Sequence, residues 1–593
     1  MRDILIALVV IGLRWAVAQG AELQTWGHAN AELNDSTAVA AGNVRRSTVY
    51  DVQVATRAAP ETLHDSFSYM SLPRSGRAKE GYNSEDGAEF AAQAKMTMSW
   101  TSFLYNTDTW VHVGIKVGPA LSSADEVTIR PTTLNFQKEL VNGRTIRILV
   151  PYSARGYRFS VEFKSQQLTS YRDGSGKLTT RASGNRAVHD EPLNAMMIFA
   201  EPMLTGGDVN RLVPSSASHS IYYPHEGKVA NLHQVTQDVI YFRPGTYYMD
   251  WNYHAHLPPQ VRWVYLAAGA YVKGAFQFRK GSAGSKVTGF GVLSGEQYVY
   301  EADRANQYRH RSDSAPDCHG SCVKMLEFEA GSEQQHLTLH GITVANPPYN
   351  SLVAYGDVQH FTEDASQYKQ VGGWYWQTDG LELYQGSSMK NAFLHSNDDV
   401  LKLYASHLRV NDIVVWKAEN GPVIQWGWKP RNIAEVRLNG LDVIHNRMYT
   451  DSHNSCIINS ARQYQDPASA GLANPDMRVA GVFLENIRAE GRNLCAMRLY
   501  ALASWENIHI SNLWIQEWND LDIRAQASKF EALANEKGER VVIGNEVRDG
   551  KGLTIENYVV SGERIRKSGD NWRADHPGRL DFDPSLWDNW DAR

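Results

Sequence analysis

Residues 408–415 read LRVNDIVV and residues 436–443 read VRLNGLDV. Both follow one pattern: apolar, any, apolar, two middle residues, apolar, any, apolar. It recurs as LTLHGITV at 337–344, VFLENIRA at 482–489, IHISNLWI at 508–515 and LTIENYVV at 553–560. Each copy reads as two short strands meeting at a tight corner. An Asn or Gly in the middle can take the left-handed conformation that the corner needs. The spacing of the copies suggests a unit of about 25 residues interrupted by loop insertions. Stacking such units gives a parallel β-helix, with coils rising about 4.8 Å each and Asn side chains able to bond up the stack. A second β-sandwich would give irregular copies without the shared middle Asn.

Upstream the text differs. Val49–Val54, Lys95–Trp100, Thr109–Val117, Glu126–Arg130, Thr145–Val150 and Tyr157–Phe163 are short strand-forming runs, punctuated by Gly, Pro, Asn and Asp. Regular short strands with turn signals predict a β-sandwich. The expected organisation is all-β: a signal peptide at 1–18, a sandwich at 19–205, a connector at 206–235 and a β-helix at 236–593 with a C-terminal tail. Gly206-Gly207, Pro214 and Pro224 mark the connector.

At 593 residues, 42% hydrophobic and 21% charged, the chain is globular and long enough for two domains. Lys and Arg number 59 against 65 Asp and Glu, a net charge of −6. That balance argues against nucleic acid or an anionic membrane as partner and suits a neutral substrate. Arg2, the apolar run Ile4–Leu13 and Ala16-Val17-Ala18 read as a signal peptide, too short to span a bilayer. The mature chain is expected to be secreted, extracellular and monomeric, with no membrane association. Cys318 and Cys322 are close enough to clip a loop, and Cys456 and Cys495 can pair across coils. No Cys/His cluster has zinc spacing, so no metal or other cofactor is implied. Asn34-Asp35-Ser36 is a glycosylation sequon.

The chemistry concentrates at Gln377-Thr378-Asp379-Gly380 and Asn397-Asp398-Asp399, followed by Leu401, Lys402, Leu403 and Tyr404. Carboxylates among strand formers must be paired, hydrogen-bonded or used. Like charges also raise the pKa of one member, as a general acid requires. The bland alternative is a calcium site or an acidic turn. If Asp379 and Asp398 occupy equivalent strands of neighbouring coils, they share a face at about the 6.5–9.5 Å of an inverting glycosidase. Asp399 would join them only through a turn or bulge. His395 and Lys402 flank the cluster. Trp374, Tyr375, Trp376, Trp416, Trp426 and Trp428 offer rings to sugar faces, or simply fill cores.

At these residues the chain resembles glycoside hydrolase family 49, the dextranase and isopullulanase family. The similar segments cover most of the mature chain. They include Trp100–Tyr105, Ile129–Thr132, Gly156–Phe163, Gly269–Ala275, Gly291–Tyr298, Tyr368–Gly373, Gln377–Gly380 and Gly427–Asn432. The resemblance implies a sandwich joined to a right-handed parallel β-helix and inverting, endo-acting hydrolysis of α-glucans. It implies Asp398 as general acid and Asp379 and Asp399 as activators of the water. His395, Lys402 and Arg431 are expected at the substrate, as are Gln377, Trp376, Trp426 and Trp428. Arg309–Phe328, Asp357–Ala365 and Arg462–Asp476 depart from the family pattern. Asn397 before the Asp pair is dextranase-like, whereas Gln377–Glu382 and Trp100–Tyr105 are nearer isopullulanase. The expectation is cleavage of pullulan α-1,4 bonds, with dextran α-1,6 bonds as the alternative. Further readings are a polygalacturonase-like enzyme, a non-catalytic glycan-binding β-helix and a calcium-dependent lyase. The first would need a Gly-His-Gly and an Arg-x-Lys downstream of the pair, and neither is present.

Overall fold

A computed structural model describes residues 22–593, except 74–87, 250–253, 280–283, 313–316, 453, 461–472, 523–525, 545–550, 570 and 574–577. The signal peptide expected at 1–18 lies outside the described residues.

The repeat does what its pattern predicts. The fifth residue of every copy has a positive φ: Gly341 79°, Asp412 55°, Gly440 86°, Asn486 57°, Asn512 53° and Asn557 54°. In the 408–415 copy the corner falls on Asp412 rather than Asn411, and Asp tolerates this region for the same reason as Asn. Flanking apolar residues point inward and form one core running from Val229 to Ala592. Neighbouring coils pair in parallel register, as Leu438 with Leu484 and Leu484 with Ile510. The result is a right-handed parallel β-helix.

On its outer corner Asn486 donates to Asn439 Oδ1 (2.6 Å), Asn512 to Asn486 Oδ1 (2.8 Å) and Asn557 to Asn512 Oδ1 (2.9 Å). Replacing Asn512 by Ala removes two rungs and the polar side chain that makes a left-handed residue tolerable. The expected loss is about 1–2 kcal/mol, read as a lower urea midpoint.

The sandwich packs an eight-stranded sheet on a five-stranded one. Its Thr97–Tyr105 strand is buried along its whole length. Phe103 and Tyr105 face the sandwich core, while Met98 and Trp100 face the β-helix. Phe393, Val414, Trp416 and Ile444 meet them from the outer surface of the coils. Ion pairs cross the same interface, the buried Lys369–Glu201 at 2.8 Å and the half-buried Arg130–Glu490 at 2.7 Å. The two domains therefore share a core. The first solenoid strands, Ile221–Tyr222 and Gly227–Val229, already pair with the coil above. They lie inside the stretch read as a connector, whose Gly and Pro content hides two very short strands. Cys318–Cys322 and Cys456–Cys495 are disulfide-bonded.

Candidate active site

A seven-stranded parallel sheet forms one face of the helix, including Leu381–Glu382, Leu401–Lys402, Ile424–Gln425, Ile458–Ser460 and Met497–Ala501. Leu381, Leu401 and Ile424 point inward. Glu382, Lys402 and Gln425 stack in register on the outside. Asp379 and the Asp398-Asp399 pair lie in the corners leading into the first two strands.

Leu381 pairs with Leu401. Asp379 and Asp399 each stand two residues earlier, so they are the stacked pair, one coil apart. The expected alignment of Asp379 with Asp398 is off by one residue. Convergence needs no bulge, because all three carboxylates sit in corners where strand alternation does not apply. The corners are pressed together: Gly380 N donates to Asp399 O at 3.0 Å. A Cβ on Gly380 would lie 1.9 Å from Val400 O.

Asp398 Oδ2 accepts Gln377 N (3.1 Å) and Asn420 Nδ2 (2.8 Å), while Oδ1 accepts Asp399 N (2.9 Å). Burial, then the charges of Asp379 and Asp399, push the Asp398 carboxyl well above the usual carboxylate range. Burial and Asp379 raise Asp399 to about 6, partly offset by Lys402, Trp428 and Asn454. Asp399 Oδ2 receives Trp428 Nε1 (3.3 Å) and Tyr404 OH (3.4 Å), and Oδ1 receives Asn454 Nδ2 (3.4 Å). Lys402 Nζ sits 2.8 Å from Asp379 Oδ2 and 3.8 Å from Glu382 Oε2. Burial works against the Lys402 charge, but Asp379 and Glu382 outweigh it and hold the ammonium protonated. One corner thus combines a carboxyl that keeps its proton with a carboxylate held by an ammonium.

Around this cluster Trp376 is 49% exposed. Gln377 Oε1 accepts Tyr300 OH, and the Tyr300 ring stacks on Tyr375 at 5.2 Å. The Arg431 guanidinium lies 4.2 Å over the Tyr404 ring. Two expected substrate residues are elsewhere. Trp426 is 4% exposed and points into the coil interior, 5.7 Å from the Trp505 ring. Its neighbour Gln425 is the outward residue of that strand. His395 is 1% exposed, with its ring against Trp374 at the domain interface, where burial pushes it down to about 3. It shares strand parity with Phe393 and so faces the sandwich. Sequence reasoning missed Tyr300, Asn420, Asn454 and Lys417, whose Nζ donates to Asn420 O and whose charge acts on Asp398. Only the Asn420-Gly421-Pro422 turn carried a signal. Gly421 has φ 71°, and a Cβ there would meet Asp398 Oδ1 at 2.6 Å. Glycine is what lets this loop close on the acid.

Among the described residues no group of three or more His, Cys, Asp or Glu is arranged to hold a metal ion.

A buried carboxyl pushed upward by its neighbours, beside a carboxylate paired with an ammonium, is the equipment of a glycoside hydrolase. Family models agree: glycosyl hydrolase family 49 N-terminal Ig-like domain matches residues 15–203, and glycosyl hydrolase family 49 matches 468–593. An isopullulanase β-solenoid repeat matches 416–448 and a dextranase β-solenoid repeat 348–380. A dextranase of Arthrobacter globiformis is 54% identical over 97% of this chain and 91% of its own. An isopullulanase of Aspergillus niger is 34% identical over 94% of this chain and 93% of its own. The solved structure of Dex49A from Penicillium minioluteum superposes with a TM-score of 0.82 at 30% identity, covering 96% of this chain and 98% of its own. The chain belongs to glycosyl hydrolase family 49 and is a glycoside hydrolase. That membership sets aside the polygalacturonase, lyase and binding-only readings. The lean toward pullulan is not what the comparisons favour, since the 54% relative is a dextranase and the isopullulanase stands at 34%.

Proposed function

We propose that this protein is an endo-acting, inverting hydrolase of α-1,6-linked glucan, the dextran class. The carrying observation is the geometry of the corner: Asp398 buried beside Asp379 and Asp399, and Asp379 paired with Lys402 at 2.8 Å. Asp398 gives its proton to the glycosidic oxygen as the bond to the anomeric carbon breaks. Asp399 and Asp379 take a proton from the water that attacks the opposite face, so the product inverts. Trp376 and Trp428 offer rings to the sugar faces, and Gln377, Lys402 and Arg431 offer donors to hydroxyls. The dextranase at 54% identity supports α-1,6 over α-1,4 bonds. The N-terminal run read as a leader and the two disulfides support export as an extracellular enzyme.

Proton NMR during digestion of dextran tests the mechanism. The β-anomer of the new reducing end is expected first, with viscosity falling faster than reducing ends accumulate. An α-anomer appearing first, or faster hydrolysis of pullulan than of dextran, would overturn the reading.

The pH profile gives a second test. The base must be ionised, so activity rises through the region near 6 where Asp399 titrates, and falls once Asp398 loses its proton. Trp428→Phe removes the indole N–H from Asp399 Oδ2, a donor that favours the ionised form. The acid limb of kcat/KM should move up in pH, and an unmoved limb would remove Asp399 from the role of base.

A further inference from the structure

The acid's cradle is tied to the other domain. Asn420 holds Asp398 Oδ2 at 2.8 Å. The loop carrying it is fixed from within the helix: Asn397 Oδ1 accepts Glu419 N (3.0 Å) and Asn420 N (2.9 Å), and Lys417 Nζ donates to Asn420 O. From outside it is clamped by Arg447, whose backbone N–H donates to Lys417 O at 3.1 Å and whose guanidinium lies 3.4 Å from Glu419 Oε2. Arg447 is buried and reaches into the sandwich, 5.1 Å over the Phe90 ring and 3.6 Å from Met96 Sδ. There its guanidinium meets Glu191 Oε1. The second oxygen of Glu191 accepts Trp416 Nε1 at 3.0 Å. Trp416 immediately precedes the loop.

One sandwich carboxylate therefore spends both oxygens on residues that grip the loop, Trp416 before it and Arg447 across it. A buried ion pair contributes little net stability compared with apolar packing. The interface pair Lys369–Glu201 makes the contrast: its ammonium also bonds Gly341 O and grips no residue of the 417–421 loop.

We propose that Glu191 of the N-terminal domain is a positioning residue for the reaction: through Trp416 and Arg447 it fixes the 417–421 loop, and so the Asn420 amide on Asp398. This rests on Asp398 being the general acid. Loosening Asn420 takes a donor from the Asp398 carboxylate, disfavours its ionised form and moves the alkaline limb of the pH profile upward.

The test is a double-mutant cycle in the full-length enzyme on dextran. Glu191→Gln keeps an acceptor for Trp416 and loses the charge facing Arg447. It should lower kcat on the order of tenfold to a hundredfold, as a displaced catalytic group does, with KM within about twofold and the alkaline limb moved up. Asn420→Ala should show the same signature. The two together should be no slower than Asn420→Ala alone, because both act at one contact. Losses in kcat that multiply would overturn the proposal, as would a Glu191→Gln enzyme with unchanged kcat and limb and only a lower melting temperature. If Glu191→Gln does not fold, Glu419→Gln breaks the same clamp on the loop side, leaves Arg447–Glu191 in place and faces the same criteria. Asp398→Asn separates the two levels: an active Asp398→Asn protein removes the acid assignment itself. An inactive one with multiplying Glu191 and Asn420 effects removes only the positioning role.

Discussion

Asp398→Asn is expected to lower kcat on dextran by about 10³-fold or more, within the range ascribed to general acid catalysis and its geometry, while the protein becomes more stable. Both effects have one cause. Asp398 carries its proton first because burial disfavours its charged form, and then because ionising it would add a like charge beside Asp379 and Asp399. Asparagine has the same shape, and its one oxygen can still accept from Gln377 N and Asn420 Nδ2, while its amide nitrogen gives up the bond from Asp399 N. It cannot deliver a proton to a departing sugar oxygen. It also removes a group whose ionisation opposes the folded state, so melting temperature should rise at neutral pH. The decisive measurement uses a glucan fluoride, whose leaving group needs no proton. Asp398→Asn should retain most of its activity on the fluoride and lose it on dextran. Asp399→Asn, which lacks the water-activating carboxylate, should fail on both. Equal losses on the two substrates by Asp398→Asn would move the acid role to another residue.

The repeat was legible because its signals are local. Six octamers of one pattern place inward residues at fixed positions, and their fifth residue takes the left-handed corner in every copy. The sandwich strands at Thr145–Val150 and Tyr157–Phe163 have the boundaries that their alternation predicts. The three aspartates stood out for a similar reason, as charges in apolar text. What was hidden depends on register between distant segments. Nothing in the sequence says that Asp379 stacks on Asp399 rather than Asp398, since one residue in a corner decides it. Nor does an indole's sequence position say whether it faces the coil or the cleft. Trp426 and Trp428 are two residues apart, yet one fills the core, and the positive φ of Trp428 (74°) turns the other onto Asp399. His395 looked like a cleft residue only because the sandwich that covers it is more than 150 residues upstream.

Lys402→Met is the second large effect. The ammonium lies 2.8 Å from Asp379 Oδ2; Lys402 is buried and Asp379 nearly so. Methionine fills the same volume without charge, so Asp379 is left as an unpaired carboxylate stacked on Asp399. Removing one partner of a buried pair costs about 3–5 kcal/mol. The sign with pH follows from the carboxylates. Lys402 holds the Asp399 pKa down, so in the variant that pKa lies above its wild-type value near 6. A carboxyl whose folded pKa is raised opposes folding once pH exceeds its unfolded value, near 3.9. The stability deficit of the variant should therefore be small near pH 4, where the Asp399 carboxyl is protonated and needs no ammonium. It should grow as pH rises to 7. Urea midpoints across that range measure it, and a deficit independent of pH would mean that only packing was lost. The acid limb of kcat/KM should move up together with the deficit, because both read the same proton on the carboxylates that activate water.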